Sequence, residues 1–138
     1  MPYENPWLFD GEPFEDTEDW EAFVYIITNL KSGRKYIGRK YFWQRRKARG
    51  KSRRSKSPSD WKDYYGSCEE LSSDVEKLGK ENFRREIISL HKTRGSANYS
   101  ELEEQVVRKV IFTDEYYNGI VAKYRQINRE VKRNSKLK

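Results

Sequence analysis

Two tyrosines, Tyr25 and Tyr36, are separated by ten residues and sit in runs that are otherwise mostly apolar and β-branched, Phe23-Val24-Tyr25-Ile26-Ile27-Thr28 and Lys35-Tyr36-Ile37-Gly38. A dense cationic segment follows at once: from Arg39 to Lys56, ten of eighteen residues are Arg or Lys. A solvated loop needs no such density. Tyr41, Phe42 and Trp43 are interleaved with the charge, so stacking surfaces lie beside groups that neutralise phosphates, as in nucleic-acid grooves. Arg45, Lys47, Arg49, Lys51, Arg53 and Arg54 are the candidate phosphate contacts. The competing reading of the tyrosines is structural, because strands favour aromatics and a packed tyrosine commonly leaves its hydroxyl wet. For the basic run it is a localisation signal or a nonspecific basic tail.

The elements that must hold these residues can be read along the chain. Asn29-Leu30-Lys31-Ser32-Gly33-Arg34 has the composition of a tight connection, so the two tyrosine runs form an antiparallel hairpin with Tyr25 and Tyr36 as near neighbours. The second strand can continue through Arg39 to Gln44. Ser67 and Glu70 have capping-box spacing and Gly79 is a stop signal, which together predict a helix with Leu71, Val75 and Leu78 on its buried face. Residues 82–90 are β-rich enough to be a third strand. A second helix starts near Asn98 or Ser100, with Leu102, Val106 and Val110 as its inner stripe. The fold class is therefore α/β (α+β), a small three-stranded antiparallel sheet flanked by helices.

A chain of 138 residues suits one domain. Residues 1–21 contain eight acids and no Lys or Arg; the whole chain has net charge +7, so the remainder carries +15. The acidic segment reads as an extended arm whose Trp7, Phe9 and Phe14 dock on the domain, or which lies over the basic face as a mimic of nucleic acid. Residues 22–121 form the domain, with a basic insert at 39–59, and residues 122–138 form a basic tail. A single Cys68 and a single His91 exclude an internal disulfide, a thiolate zinc cluster and nucleases built on paired histidines. A reducing, cytoplasmic setting follows, which would be the host cytoplasm for a phage-encoded protein. No secretory leader or membrane span is expected.

The hairpin resembles the signature of the GIY-YIG nuclease family, with Phe23-Val24-Tyr25 in place of Gly-Ile-Tyr and Tyr36-Ile37-Gly38 as the second half. The order strand, strand, basic segment, helix, strand, helix, Tyr-Asn extends the resemblance over residues 22 to 121. Trp61 to Ser67 is similar to a segment of phage-encoded nucleases related to homing endonucleases. The resemblance implies a metal-dependent DNA endonuclease that hydrolyses phosphodiester bonds. Tyr25 and Tyr36 would be catalytic, with their phenolates favoured by the metal and by cationic neighbours. Glu104 would hold Mg²⁺ (or Mn²⁺), with Glu101 and Glu103 as competitors. Arg46 has the spacing of the family's arginine, and Arg39, Arg45 and Arg85 are alternatives to it. Lys40 or Tyr65 could stand where some members have a lysine or histidine, and Asn118 would support the site. The implied partner is double-stranded DNA, with a homo-oligomer on DNA left open. The rival readings are an inactive basic DNA-binding module and a small RNA-binding protein.

Overall fold

The structure is a computed structural model that describes residues 3–47, 54–125 and 130–137, and only the backbone of residues 46, 47, 54 and 55. In chain order its elements are β1 (Leu8–Phe9), β2 (Glu12–Pro13), β3 (Ala22–Asn29), β4 (Lys35–Tyr41), β5 (Trp43–Lys47), β6 (Arg54–Pro58), α1 (Glu69–Leu78), β7 (Phe83–His91), α2 (Arg94–Val107), β8 (Ile120–Val121) and β9 (Tyr124–Arg125). The expected hairpin is β3 and β4, and the expected third strand is β7. These three are antiparallel, with β3 in the middle. The hairpin connection is held by Asn29, whose side-chain oxygen accepts from the Lys31 and Ser32 N–H groups at 2.9 and 3.2 Å.

The sheet is larger than three strands and is mixed, with the order β2-β1-β7-β3-β4. The two additional strands come from the acidic arm, and β1 runs parallel to β7. Two-residue strands leave no periodicity in sequence; they form because Trp7 is anchored between them and the core. Its ring is fully buried against Phe23 and Tyr25, and its indole N–H donates to the Trp61 carbonyl at 2.7 Å.

Strand β3 is covered on both sides, so its alternate residues enter two different cores. Phe23, Tyr25 and Ile27 join Trp7, Phe42, Trp61, Leu71 and Phe83 on the face shared with α1 and the arm. Ala22 and Val24 join Ile37, Ala97, Val110 and Val121 on the face shared with α2. Helix α1 ends at Gly79, whose φ of 95° requires glycine, but its N-cap is Cys68 rather than Ser67. Leu78 is 38% exposed and so does not belong to the buried face. Helix α2 starts earlier than expected, because the Thr93 hydroxyl caps it by accepting from the Ser96 N–H at 3.1 Å.

The inward stripe of α2 also differs from the expected one. Leu102 and Val106 are 39% and 59% exposed, while Ala97 and Gln105 are buried and Glu101 is half-buried. Val110 is buried, but it lies beyond the helix in a short 3₁₀ turn, Val110–Phe112, after Lys109 leaves the helix with φ 54°. The basic insert is a second hairpin, β5 with β6, in antiparallel register from Trp43↔Pro58 to Lys47↔Arg54.

Candidate active site

Strand β4 is the edge of the sheet, and its exposed backbone must be satisfied. The segment after α2 does this. Lys35 N–H donates to the Glu115 carbonyl at 2.9 Å, and Tyr117 N–H donates to the Lys35 carbonyl at 2.7 Å. One step further on, the Asn118 side chain replaces a strand: its oxygen accepts from Ile37 N–H at 3.0 Å and its amide donates to the Ile37 carbonyl at 2.8 Å. Gln105 of α2 donates to the same carbonyl at 3.2 Å. Asn118, 4% exposed, is thus fastened to the middle of the Tyr36-Ile37-Gly38 motif.

Alternation along β4 sends Tyr36 to the α1 face, and Ile37 and Arg39 to the α2 face. A cavity of about 550 Å³ opens where the two faces meet at this edge, lined by Tyr36, Arg39, Ser67, Glu101, Gln105 and Asn118 among others. Tyr36 is half-buried, with its hydroxyl 3.3 Å from Ser67 Oγ. Arg39 donates to Glu101 Oε1 at 3.2 Å.

Tyr25 belongs to the motif but not to the cavity wall. It is 1% exposed, beneath Tyr36 with ring centroids 6.2 Å apart, and has Trp7 and Tyr64 on its other sides. Gly38 is opposite Tyr25 in the register, and a Cβ there would lie 2.4 Å from the Tyr25 hydroxyl. The glycine is therefore required by the close approach of the ring, not by a turn. Burial, aided by the neighbouring phenols Tyr64 and Tyr36, pushes the Tyr25 hydroxyl well above the ordinary phenol range. Burial also raises Tyr36, against the opposing hydrogen bond from Ser67. In the metal-free protein both phenols are therefore held in the neutral form by burial; the expected favouring of the phenolates depends on the metal as well as on cationic neighbours.

The carboxylate on the cavity is Glu101, one of the competitors, rather than Glu104. Residues 97, 101 and 105 are spaced four apart and share the inward face of α2. Glu104 is turned off that face and accepts from Arg108 at 3.0 Å. Glu103 lies on the outer face, beside Tyr99, Leu102, Val106 and Val107. Burial raises the Glu101 carboxyl above the usual carboxylate range, and this outweighs the lowering by Arg39.

The remaining candidates are dispersed. Lys40 points to the α1 face, bridges to Asp60 at 2.6 Å and lies 4.1 Å from the Tyr64 ring centroid. Tyr65 is in the core, where its hydroxyl accepts from the Asn5 amide at 2.9 Å. Arg85 lies away from the cavity: it is 1% exposed, packed on Trp7 and Tyr65, and donates to the carbonyls of Asn5, Tyr64 and Glu4. Arg45 donates through Nε to Glu21 Oε1 at 3.1 Å. Arg46 and Lys47 are on β5 and Arg54 is on β6, with side chains outside the described residues, where Arg49, Lys51 and Arg53 also lie.

Sequence reasoning missed Ser67, Gln105 and Tyr64 as neighbours of the motif. A signal for α2 was present in the small-then-polar spacing Ala97, Glu101, Gln105, which the apolar residues at 102 and 106 obscured.

Among the described residues no three His, Cys, Asp or Glu side chains cluster as a metal cage, and no helix is long and apolar enough to cross a membrane. The donor set nonetheless suits one kind of ion. Mg²⁺ commonly keeps most of its waters and takes one or two carboxylates together with substrate phosphate, which a single half-buried glutamate on an open cavity can provide.

Residues 7–121 match the family described as "Putative endonuclease segE, GIY-YIG domain". The chain is also 34% identical over 97 residues to "Putative endonuclease segE" of Enterobacteria phage T4. That alignment covers 70% of this chain and 39% of the relative, so the chain spans about two fifths of the length of the curated relative it matches. No solved structure matches the chain.

Proposed function

The chain belongs to the GIY-YIG endonuclease family of the SegE type, and from that premise we propose that it hydrolyses phosphodiester bonds of duplex DNA with a divalent metal, at the β4 edge. The observation that carries this reading is the meeting of Tyr36, Arg39, Glu101 and Asn118 at one cavity, although they come from a strand, a helix and a terminal segment.

Each residue has a task that its surroundings permit. Arg39, oriented by Glu101, offers a planar set of donors to the scissile phosphate. Tyr36, neutral and on the rim, can hold the attacking water or donate to a phosphate oxygen, which geometry allows without a phenolate. Tyr25 is a positioning residue that fixes Tyr36 and requires Gly38. Asn118 sets the height of the β4 backbone. Glu101 would hold Mg²⁺ or Mn²⁺, with Arg39 engaging one of its oxygens. The ion, when bound, would neutralise charge developing on the phosphate and leaving oxygen.

Nicking or linearisation of supercoiled plasmid with Mg²⁺, abolished by chelator, is the expected activity. Glu101→Gln should lower it about a thousandfold, roughly 4 kcal/mol of barrier, while duplex affinity and melting temperature hold. Glu104→Gln should stay within about tenfold. Loss with Glu104→Gln and not with Glu101→Gln would reverse the assignment. Tight duplex binding with no cleavage in Mg²⁺ or Mn²⁺ would leave a DNA-binding module instead.

A further inference from the structure

Next to the cavity at the β4 edge lies a second cleft, of about 360 Å³, lined by Arg39, Lys40, Tyr41, Trp43, Arg45 and Arg94, with Gln44 and Ser59 completing it. Arg39 belongs to both walls, so the two spaces are neighbours on either side of one side chain. We infer that this cleft is a second phosphodiester subsite, in which Arg94 and Arg45 hold a backbone phosphate of the DNA beyond the scissile one. The inference rests on the nuclease reading for the identity of the strand, and it places the path of that strand from Tyr36 over Arg39 towards the β5–β6 hairpin.

Arg94 is built differently from the structural arginine Arg85. Arg85 donates through Nε, Nη1 and Nη2 to backbone carbonyls inside the core. Arg94 gives Nη2 to the Trp43 carbonyl at 2.9 Å and lies 4.2 Å from the centroid of the Tyr41 ring, which fixes the guanidinium plane. Its Nε has no hydrogen-bond partner and is the one such buried side-chain atom among the described residues. The nearest acid, Glu21 Oε1, is 3.6 Å away and already accepts from Arg45. That atom is buried beside Glu21, so what the cleft meets is the outer part of the guanidinium, whose side chain is 33% exposed.

Charge points the same way. Lys40 is matched by Asp60 and Arg39 by Glu101, but Arg45 and Arg94 share the single carboxylate of Glu21. One positive charge is left over, which is what a single phosphodiester would neutralise. The cations are already oriented by their contacts, so little side-chain freedom is lost when the anion arrives. Tyr41 registers the same field. Partial burial pushes its phenol up, yet the hydrogen bond from Arg39 and the charges of Arg39 and Arg94 bring it below the ordinary phenol range.

The test is binding to a short duplex in which single phosphates, one at a time, are made neutral as methylphosphonates, measured by anisotropy in EDTA with the full chain. Wild type should lose about tenfold at one phosphate away from the scissile position. Arg94→Gln should lose about tenfold on unmodified duplex and nothing further at that phosphate, with Arg94→Lys intermediate. Equal losses for wild type and Arg94→Gln at every position, or wild-type affinity for Arg94→Gln, would overturn the inference. If Arg94→Gln melts early, Arg45→Gln, whose side chain is more exposed, carries the same comparison. Plasmid cleavage is run in parallel: a coupled phosphate without cleavage would sink the nuclease reading alone, and cleavage without a coupled phosphate would sink the subsite alone.

Discussion

The two faces of the central sheet are packed by opposite means. On the α1 face, Trp7, Phe23, Tyr25, Phe42, Trp61 and Phe83 form a continuous aromatic core, closed by the arm and by the buried Arg85. On the α2 face the buried apolar set is only Ala22, Val24, Ile37, Ala97, Val110 and Val121, and the helix turns Glu101 and Gln105 inward. Large apolar residues of that helix, Tyr99, Val106 and Val107, are exposed instead. The first face maximises burial. The second gives up burial to carry Glu101 and Gln105 to the β4 edge, where they meet Tyr36, which comes from the first face.

The sharpest way to break this comparison is one substitution in the aromatic core and one on the apolar outer side of α2. Trp7→Ala removes the anchor of the arm, a fully buried ring and its hydrogen bond to Trp61, and should cost about 3–5 kcal/mol in chemical denaturation. Val106→Lys, on the outer side of α2, should change stability by no more than about 0.5 kcal/mol. Comparable losses from the two would mean that α2 is packed against something on its apolar side, and that the contrast between faces is false.

A smaller effect separates the two tyrosines, which the sequence presents as equivalent. Tyr36→Phe should lower cleavage about a hundredfold, about 2.7 kcal/mol, with little change in stability, because its hydroxyl is on the rim near Ser67. Tyr25→Phe should do the reverse. It deletes a buried hydroxyl that interacts with Tyr64, costing about 1 kcal/mol of stability, and leaves cleavage within about tenfold. A rate collapse in Tyr25→Phe at unchanged stability would return the buried tyrosine to a direct chemical role.

The parts of the fold legible in the sequence are those whose cause is local. The hairpin is written in its β-branched runs and in Asn29, the end of α1 in Gly79, and β7 in its own composition. The arm strands were not legible, because β1 and β2 depend on docking contacts far along the chain, such as Trp7 on Trp61, Asn5 on Phe83 and Phe14 on Phe42. The start of α1 was misread because Ser67 faces the hydroxyl of Tyr36 and not the helix end. The inner face of α2 differs from the expected one because an apolar stripe normally marks the buried side, and here Glu101 and Gln105 take that side and bond to Arg39 and to the Ile37 carbonyl. Glu104 was expected from the family resemblance; in the fold it pairs with Arg108, and Glu101, one turn earlier, is the glutamate that lines the cavity.

The smallest effect tests whether the polar face carries the strain this contrast implies. Burial raises the Glu101 carboxyl in the folded protein, so the folded state holds its proton more tightly than the unfolded chain. The resulting stabilisation is fully present below the unfolded carboxylate pKa and is lost as pH rises through the raised folded value. In EDTA, wild-type melting temperature should therefore carry a decline across that interval which Glu101→Gln lacks, and near pH 7 the variant should be at least as stable as wild type. Mg²⁺ or Mn²⁺ at Glu101 would favour the ionised form, so adding it at pH 7 should raise the melting temperature of wild type and leave Glu101→Gln unmoved. Parallel pH profiles for the two proteins would show that the pairing with Arg39 already compensates the buried charge. An equal rise with metal in both would place the ion away from Glu101, and the cavity at the β4 edge would lose its proposed ligand.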